Sequence, residues 1–225
     1  MMPYTASHTR TLHARHAKVS TSASGWKQFT AVVSIPTSAT PTPEAAFELI
    51  AKSAGVINLD AVSAMPGDAV GGLWRKDIFE KIADLKPGFV RMPGGNYLEG
   101  TGMRTRWDWK ATVGPREQRA GHYNTAWGYW VTDAVGIYEL LMLCERLNSM
   151  PQLSVYTGYS MGRAYIPLNE SGVFAQDALD MIEYTTGSAE TTTYGKLRAS
   201  AGHPTPFPLT RMEVGNEERL MGPDE

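Results

Sequence analysis

The strongest constraint on the fold is an alternation of short apolar segments with amphipathic segments after residue 66. The apolar segments are "FVRMPGG" at 89–95, "PQLSVY" at 151–156 and "LTRMEVGNE" at 209–217. The segments with helical spacing of apolar residues are 71–88, 129–148 and 175–187. Short buried strands separated by helices are typical of a parallel sheet covered by helices. The sequence therefore predicts an α/β fold from residue 66 onward.

The first 65 residues have a different pattern. The stretch "WKQFTAVVSI" at 26–35 is rich in aromatic and β-branched residues, and "GVINLDAVSAM" at 55–65 alternates apolar with polar residues. Both patterns favour strands. A segment rich in Pro, Thr and Ser lies between them. We therefore predict two domains, an all-β part over 1–65 and an α/β part over 66–225.

Composition excludes several classes of function. The formal net charge is -2 over 225 residues, which gives no basic surface for nucleic acid or acidic membranes. No apolar stretch is long enough to span a bilayer. The five histidines show no metal-binding spacing, so we expect no metal and no cofactor. The single cysteine, Cys144, lies in an apolar helical pattern and is predicted to be a buried structural thiol.

Polar residues follow the predicted strands, where ligands bind in parallel α/β proteins. Asn96 follows Gly94 and Gly95, and it could approach a ligand or belong to a plain turn. Glu217 could act as a general acid or base, or it could cap a following helix together with Asn216. Trp127 is predicted near the start of the 129–148 helix, where it could form the wall of a pocket or pack in the core.

Four longer motifs together resemble one enzyme family. They are "IADLKPGFVRMPGGNYLEG", "RWDWKATVGPREQR", "WGYWVTDAVGIYELLMLCE" and "MEVGNEE", within roughly residues 55–225. They resemble the α-L-arabinofuranosidases of glycoside hydrolase family 51. The resemblance implies a (β/α)₈ TIM barrel, preceded here by part of a carbohydrate-binding-like β-sandwich. It also implies retaining hydrolysis of terminal α-L-arabinofuranosyl groups from arabinose-containing polysaccharides.

The resemblance also assigns roles to individual residues. Glu217 would be the general acid/base at the end of the fourth barrel strand. Asn216 would hydrogen-bond the 2-hydroxyl of the sugar, while Asn96 and Trp127 would line the sugar subsite. The three apolar segments would be barrel strands two to four.

The pattern departs from the family in two respects that affect the chemistry. The first barrel strand and its substrate-binding glutamate, which we expect before the sandwich, are missing from this sequence. The family's nucleophile is a glutamate at the end of the seventh strand, so we expect it beyond residue 225 and expect the barrel here to be incomplete. Alternatives are a non-catalytic piece with weak sugar binding, or a related barrel glycosidase with another substrate. For the complete enzyme we expect an extracellular location, and neither nucleic acid nor a membrane as a partner.

Overall fold

The computed structural model describes residues 25–43, 46, 50, 53–162 and 164–217. The chain divides into two compact units, Met1–Ile57 and Asn58–Glu225. The strands predicted at 26–35 and 55–65 are not formed, and the side chains of both stretches are exposed. A strand is stable only beside a hydrogen-bonded neighbour, and the described residues supply none for these stretches. The assignment of 1–65 to a partial sandwich stays a prediction, and residues 1–24 lie outside the described residues.

The described elements all lie in the second unit. Its strands are β1 Phe89–Met92, β2 His122–Asn124, β3 Tyr129–Val131, β4 Met150–Val155, β5 Tyr159–Ser160, β6 Ala164–Tyr165 and β7 Met212–Val214. Its α-helices are α1 Lys76–Asp84, α2 Gly95–Glu99, α3 Ile137–Leu147, α4 Gly172–Thr186 and α5 Thr193–Ser200. Short 3₁₀ turns occupy Met103–Thr105, Trp109–Thr112, Arg116–Gln118 and Leu168–Glu170.

A three-stranded parallel sheet, in the order β1–β4–β7, forms the framework. Phe89 pairs with Met150 at one side of β4, and Leu153 pairs with Met212 at the other side. Each connection between neighbouring strands contains at least one helix, as parallel pairing requires. The predicted α/β fold and the three predicted strands are therefore confirmed, whereas closure into a barrel stays a prediction.

Helix α3 supplies much of the hydrophobic core. Its residues Ile137, Leu141 and Cys144 are at most 1% exposed, and they pack in one cluster with Met92 of β1 and Leu153 of β4. Burial raises the pKa of the Cys144 thiol to about 11. The prediction that Cys144 is a buried structural thiol is therefore confirmed.

The helix predicted over 129–148 is wrong in its first eight residues. Residues 129–131 form β3, which pairs antiparallel with β2, and the helix begins only at Ile137. The aromatic and β-branched run "YWV" favours a strand. Gly128 sits in the turn before it with φ +75°, a conformation that breaks a helix. The chain here forms a β-hairpin of β2 and β3, and α3 is a separate helix that follows it.

The described helices are all too short or too polar to cross a membrane.

Candidate active site

The loops that follow β1, β4 and β7 meet at one edge of the parallel sheet, as the strand directions require. After β1, Gly94 and Gly95 turn the chain with φ values of +82° and +55°, and α2 begins at once. Both values lie in the left-handed region that favours glycine, as the sequence predicted for this pair. Asn96 therefore lies in the first turn of α2, directly beyond the carboxyl end of β1.

A buried carboxylate joins two of these loops. Glu99, the last residue of α2, is 1% exposed. Its Oε2 accepts a hydrogen bond from Asn96 Nδ2 at 2.9 Å, and its Oε1 accepts one from Asn216 Nδ2 at 3.0 Å. The structure thus brings the two predicted asparagines together through a residue that the sequence did not single out.

The backbone of the α2 loop is held by the loop that follows β4. The Ser160 hydroxyl donates to the carbonyl of Glu99 at 2.9 Å, and the Met161 amide donates to the carbonyl of Gly100 at 2.9 Å. Tyr156 and Ser160 share a hydrogen bond of 2.9 Å between their buried hydroxyls. All three loops therefore meet around Glu99.

An ion pair between Arg91 and Glu213 lies on the other side of Asn216. Arg91 of β1 donates through Nε and Nη2 to the two carboxylate oxygens of Glu213 on β7. Arg91 Nη2 also donates to Asn216 Oδ1 at 2.9 Å, and the Ser154 hydroxyl donates to Glu213 at 2.8 Å. The hydrogen bond from Arg91 holds the pKa of Glu213 below its ordinary value. Arg91, which sequence reasoning also missed, thus links β1 to the β7 loop.

Glu217 lies directly after Asn216, and its side chain is exposed. Its backbone has φ +59°, a conformation that is uncommon for a residue other than glycine. The pKa of the Arg91 guanidinium is raised mainly by its hydrogen bond to Glu213, and the negative charges of Glu217 and Glu99 raise it further. Glu217 is therefore within electrostatic range of the cluster. The alternative in which it caps a following helix involves residues 218–225, which lie outside the described residues.

Trp127 lies in the turn between β2 and β3, so its predicted position near the start of a helix is wrong. Its backbone amide donates to Asn124 Oδ1 at 3.0 Å, and its side chain is 62% exposed. The same turn contacts the α2 loop, because the amide of Thr101 donates to Thr125 Oγ1 at 3.1 Å. The structure thus places the Trp127 turn beside the α2 loop.

No group of three or more His, Cys, Asp or Glu side chains with the geometry of a metal site occurs among the described residues. The polar cluster around Glu99 consists of that residue with Asn96, Asn216, Arg91 and Glu213. It can bind a ligand through amides, carboxylates and one guanidinium. Such groups suit a ligand that has several hydroxyls.

Comparison with known proteins identifies the family. The family described as "Alpha-L-arabinofuranosidase 1 domain" matches residues 81–225. α-L-arabinofuranosidase 1 of Arabidopsis thaliana is 38% identical over 177 residues, which are 78% of this chain and 26% of that protein. An extracellular exo-α-L-arabinofuranosidase of Streptomyces chartreusis is 43% identical over 185 residues, which are 74% of this chain and 22% of that protein.

Solved structures agree with the sequence comparison. An arabinose-bound α-L-arabinofuranosidase of glycoside hydrolase family 51 aligns with a TM-score of 0.62 and 42% identity, over 64% of this chain and 23% of that one. The Thermotoga maritima enzyme, an arabinose complex, aligns with a TM-score of 0.51 and 28% identity, over 64% of this chain and 26% of that one. The chain thus spans about a quarter of the length of the relatives it matches. On its motifs, its family match and these relatives, the chain belongs to the α-L-arabinofuranosidases of glycoside hydrolase family 51.

Proposed function

We propose that this chain supplies the acid/base side of a retaining glycosidase that releases terminal α-L-arabinofuranosyl groups. The observation that carries the proposal is the contact of Asn96 and Asn216 with the buried Glu99 at the carboxyl ends of β1 and β7, since Glu217 follows Asn216 directly. Family membership supports the substrate class, since the relatives are named for this activity. One of the similar structures is described as arabinose-bound.

The chemistry assigns each residue a distinct task. Cleavage of a glycosidic bond needs a proton on the departing oxygen, which the carboxyl group of Glu217 donates. The same group, now ionised, then takes a proton from the water that attacks the sugar–enzyme intermediate. The Asn216 side chain binds the 2-hydroxyl of the sugar, where a hydrogen bond can strengthen in the transition state. Asn96 and Trp127 line the rest of the sugar subsite.

Retention also needs a nucleophilic carboxylate about 5–5.5 Å from the acid/base. Two other carboxylates of the described cluster already have tasks, because Glu99 accepts from two amides and Glu213 pairs with Arg91. The resemblance to the family implies that the nucleophile comes from the end of another barrel strand, and this stays a prediction. In the complete enzyme, β1, β4 and β7 would be strands two to four of a (β/α)₈ barrel.

Family membership also supports a class of natural substrate. We propose that the complete enzyme acts on arabinose-containing polysaccharides or oligosaccharides of plant cell walls. We further propose that it acts outside the cell, as the name of the Streptomyces relative supports.

The decisive experiment replaces the proposed acid/base. In the complete enzyme, Glu217→Ala should lower kcat/KM strongly for aryl α-L-arabinofuranosides with poor leaving groups, on the order of 10²–10⁴-fold. The loss should be small for a dinitrophenyl leaving group, which departs without a proton. Glu117→Ala is the matched control, because Glu117 is an exposed glutamate on a 3₁₀ turn.

Equal losses on good and poor leaving groups would refute the acid/base role of Glu217. A panel of aryl glycosides tests the substrate class, and preference for a sugar other than α-L-arabinofuranose would favour a related barrel glycosidase. The 225-residue chain alone should show no turnover above buffer, because its nucleophile is predicted to lie elsewhere. Activity of that chain that is abolished by Glu217→Ala would overturn this expectation.

A further inference from the structure

We propose that Glu99 is a positioning residue, whose buried carboxylate sets the orientation of the Asn96 and Asn216 amides. This inference rests on the proposed function of the site. Glu99 is 1% exposed, although glutamate is almost never fully buried without a partner. Both of its oxygens accept hydrogen bonds, from Asn96 at 2.9 Å and from Asn216 at 3.0 Å. Its burial therefore has a physical reason that points to the two asparagines.

The charges around Asn216 leave its amide one favourable orientation. Its Nδ2 faces the Glu99 carboxylate, and its Oδ1 faces the Arg91 guanidinium at 2.9 Å. A flipped amide would place its oxygen against the carboxylate and its nitrogen against the cation. Both contacts would then be repulsive, so Glu99 and Arg91 together determine which atom points in which direction.

The backbone that carries this carboxylate is itself held in place. The Ser160 hydroxyl donates to the Glu99 carbonyl, and the Tyr156 hydroxyl contacts Ser160 in turn. The next residue, Gly100, has φ +61°, and a Cβ there would lie 2.2 Å from the carbonyl oxygen of Thr105. A carboxyl group on a backbone held in this way can impose its geometry on the amides that it contacts. Since Asn216 immediately precedes Glu217, the hydrogen bond between Asn216 and Glu99 also limits the movement of Glu217.

Glu99→Gln in the complete enzyme tests the inference. The substituted glutamine side chain has nearly the same shape as glutamate, but it has only one acceptor atom, so one of the two asparagine contacts is lost. We expect kcat/KM to fall about 10–100-fold, since small misplacements at an active site have losses of this size. The loss should be similar for good and poor leaving groups, unlike that of Glu217→Ala. Glu117→Gln is the matched control and should leave kcat/KM unchanged.

A double-mutant cycle distinguishes positioning from a general structural role. In an Asn96→Ala/Asn216→Ala background, Glu99→Gln should change kcat/KM less than about threefold, because the amides it orients are absent. An equal loss of kcat/KM in both backgrounds would overturn the proposal. It would also be wrong if Glu99→Gln left kcat/KM of the otherwise wild-type enzyme unchanged. An inactive wild-type enzyme would instead refute the proposed function, and the inference with it.

A stability measurement adds a readout that does not depend on activity. Asn216→Asp places a second carboxylate against Glu99, and Arg91, which already pairs with Glu213, offsets only part of the repulsion, so the melting temperature should fall. Adding Glu99→Gln to this variant restores a donor–acceptor pair between the two residues, so the melting temperature should rise again. If Glu99→Gln lowers the melting temperature further in the Asn216→Asp background, the two side chains do not act as a pair, and the inference is wrong.

Discussion

Removing one partner of the buried ion pair between Arg119 and Glu139 should strongly destabilise the second unit. Arg119 donates to both Glu139 oxygens at 2.9 Å, and the two side chains are only 3% and 11% exposed. Arg119 also donates to the carbonyls of Gly114 and Asp133. It therefore holds both ends of a segment that contains the β2–β3 hairpin, in whose turn Trp127 lies. Loss of this pair should therefore affect both the stability of the fold and the position of Trp127.

The effect of Glu139→Leu can be worked out from these contacts. Removing one partner of a buried pair costs about 3–5 kcal/mol, and the carbonyl contacts that Arg119 keeps favour the lower end of this range. Glu139 also accepts from the amide of Gly136 at the start of α3, and losing such a cap contact costs about 1 kcal/mol. We expect the free energy of unfolding to fall by about 4 kcal/mol in total.

Urea unfolding followed by tryptophan fluorescence measures this loss. Glu145→Leu, on the same helix, is the matched control, because Glu145 is half-exposed and its contact with His203 is at the surface. The control should lose less than about 1 kcal/mol. The double variant Arg119→Met/Glu139→Leu leaves no unpaired charge, so it should be at least about 2 kcal/mol more stable than the sum of the two single variants predicts. Simple additivity of the single variants would refute the argument from a buried, coupled pair.

Three further outcomes follow from single features of the structure. Gly100→Ala should lower the free energy of unfolding by about 2 kcal/mol or more, since φ is +61° and the new Cβ would lie 2.2 Å from the Thr105 carbonyl oxygen. Thermal unfolding measures this loss, and an unchanged free energy of unfolding would contradict the geometry. Cys144 should react with a thiol reagent only after denaturation, because it is 1% exposed and its pKa is raised to about 11. Arg91 holds the pKa of Glu213 below the ordinary value of a glutamate. The stabilisation from this contact is therefore fully present above that ordinary value and is lost as the pH falls through the lower, folded-state pKa. Glu213→Gln should therefore flatten the acid side of a melting-temperature profile, and an unchanged profile would contradict this.

The parallel sheet could be predicted from the sequence, because its strands are short apolar runs bounded by Pro and Gly. The hairpin at 122–131 was harder to predict, since its aromatic residues merge with the apolar periodicity of α3. Gly128 was the available signal, because a glycine directly before "YWV" favours a turn followed by a strand. Without this signal, Trp127 was predicted near the start of a helix instead of in a turn.

Glu99 was missed for a different physical reason. In sequence it resembles an ordinary polar residue at the end of a short helix, and carboxylates are usually exposed there. Two features of the sequence were nevertheless available. Asn96 and Glu99 are three residues apart, which places them on one face of α2. That helix also begins at "PGG", directly after the predicted strand ends. The third partner, Asn216, is 117 residues away from Glu99, and only the sheet order β1–β4–β7 brings it close. A contact that depends on strand order cannot be predicted from local sequence pattern, even when each residue lies in a suggestive position. Sites built where several strands end will therefore show their reactive residues in the sequence more readily than the residues that hold them.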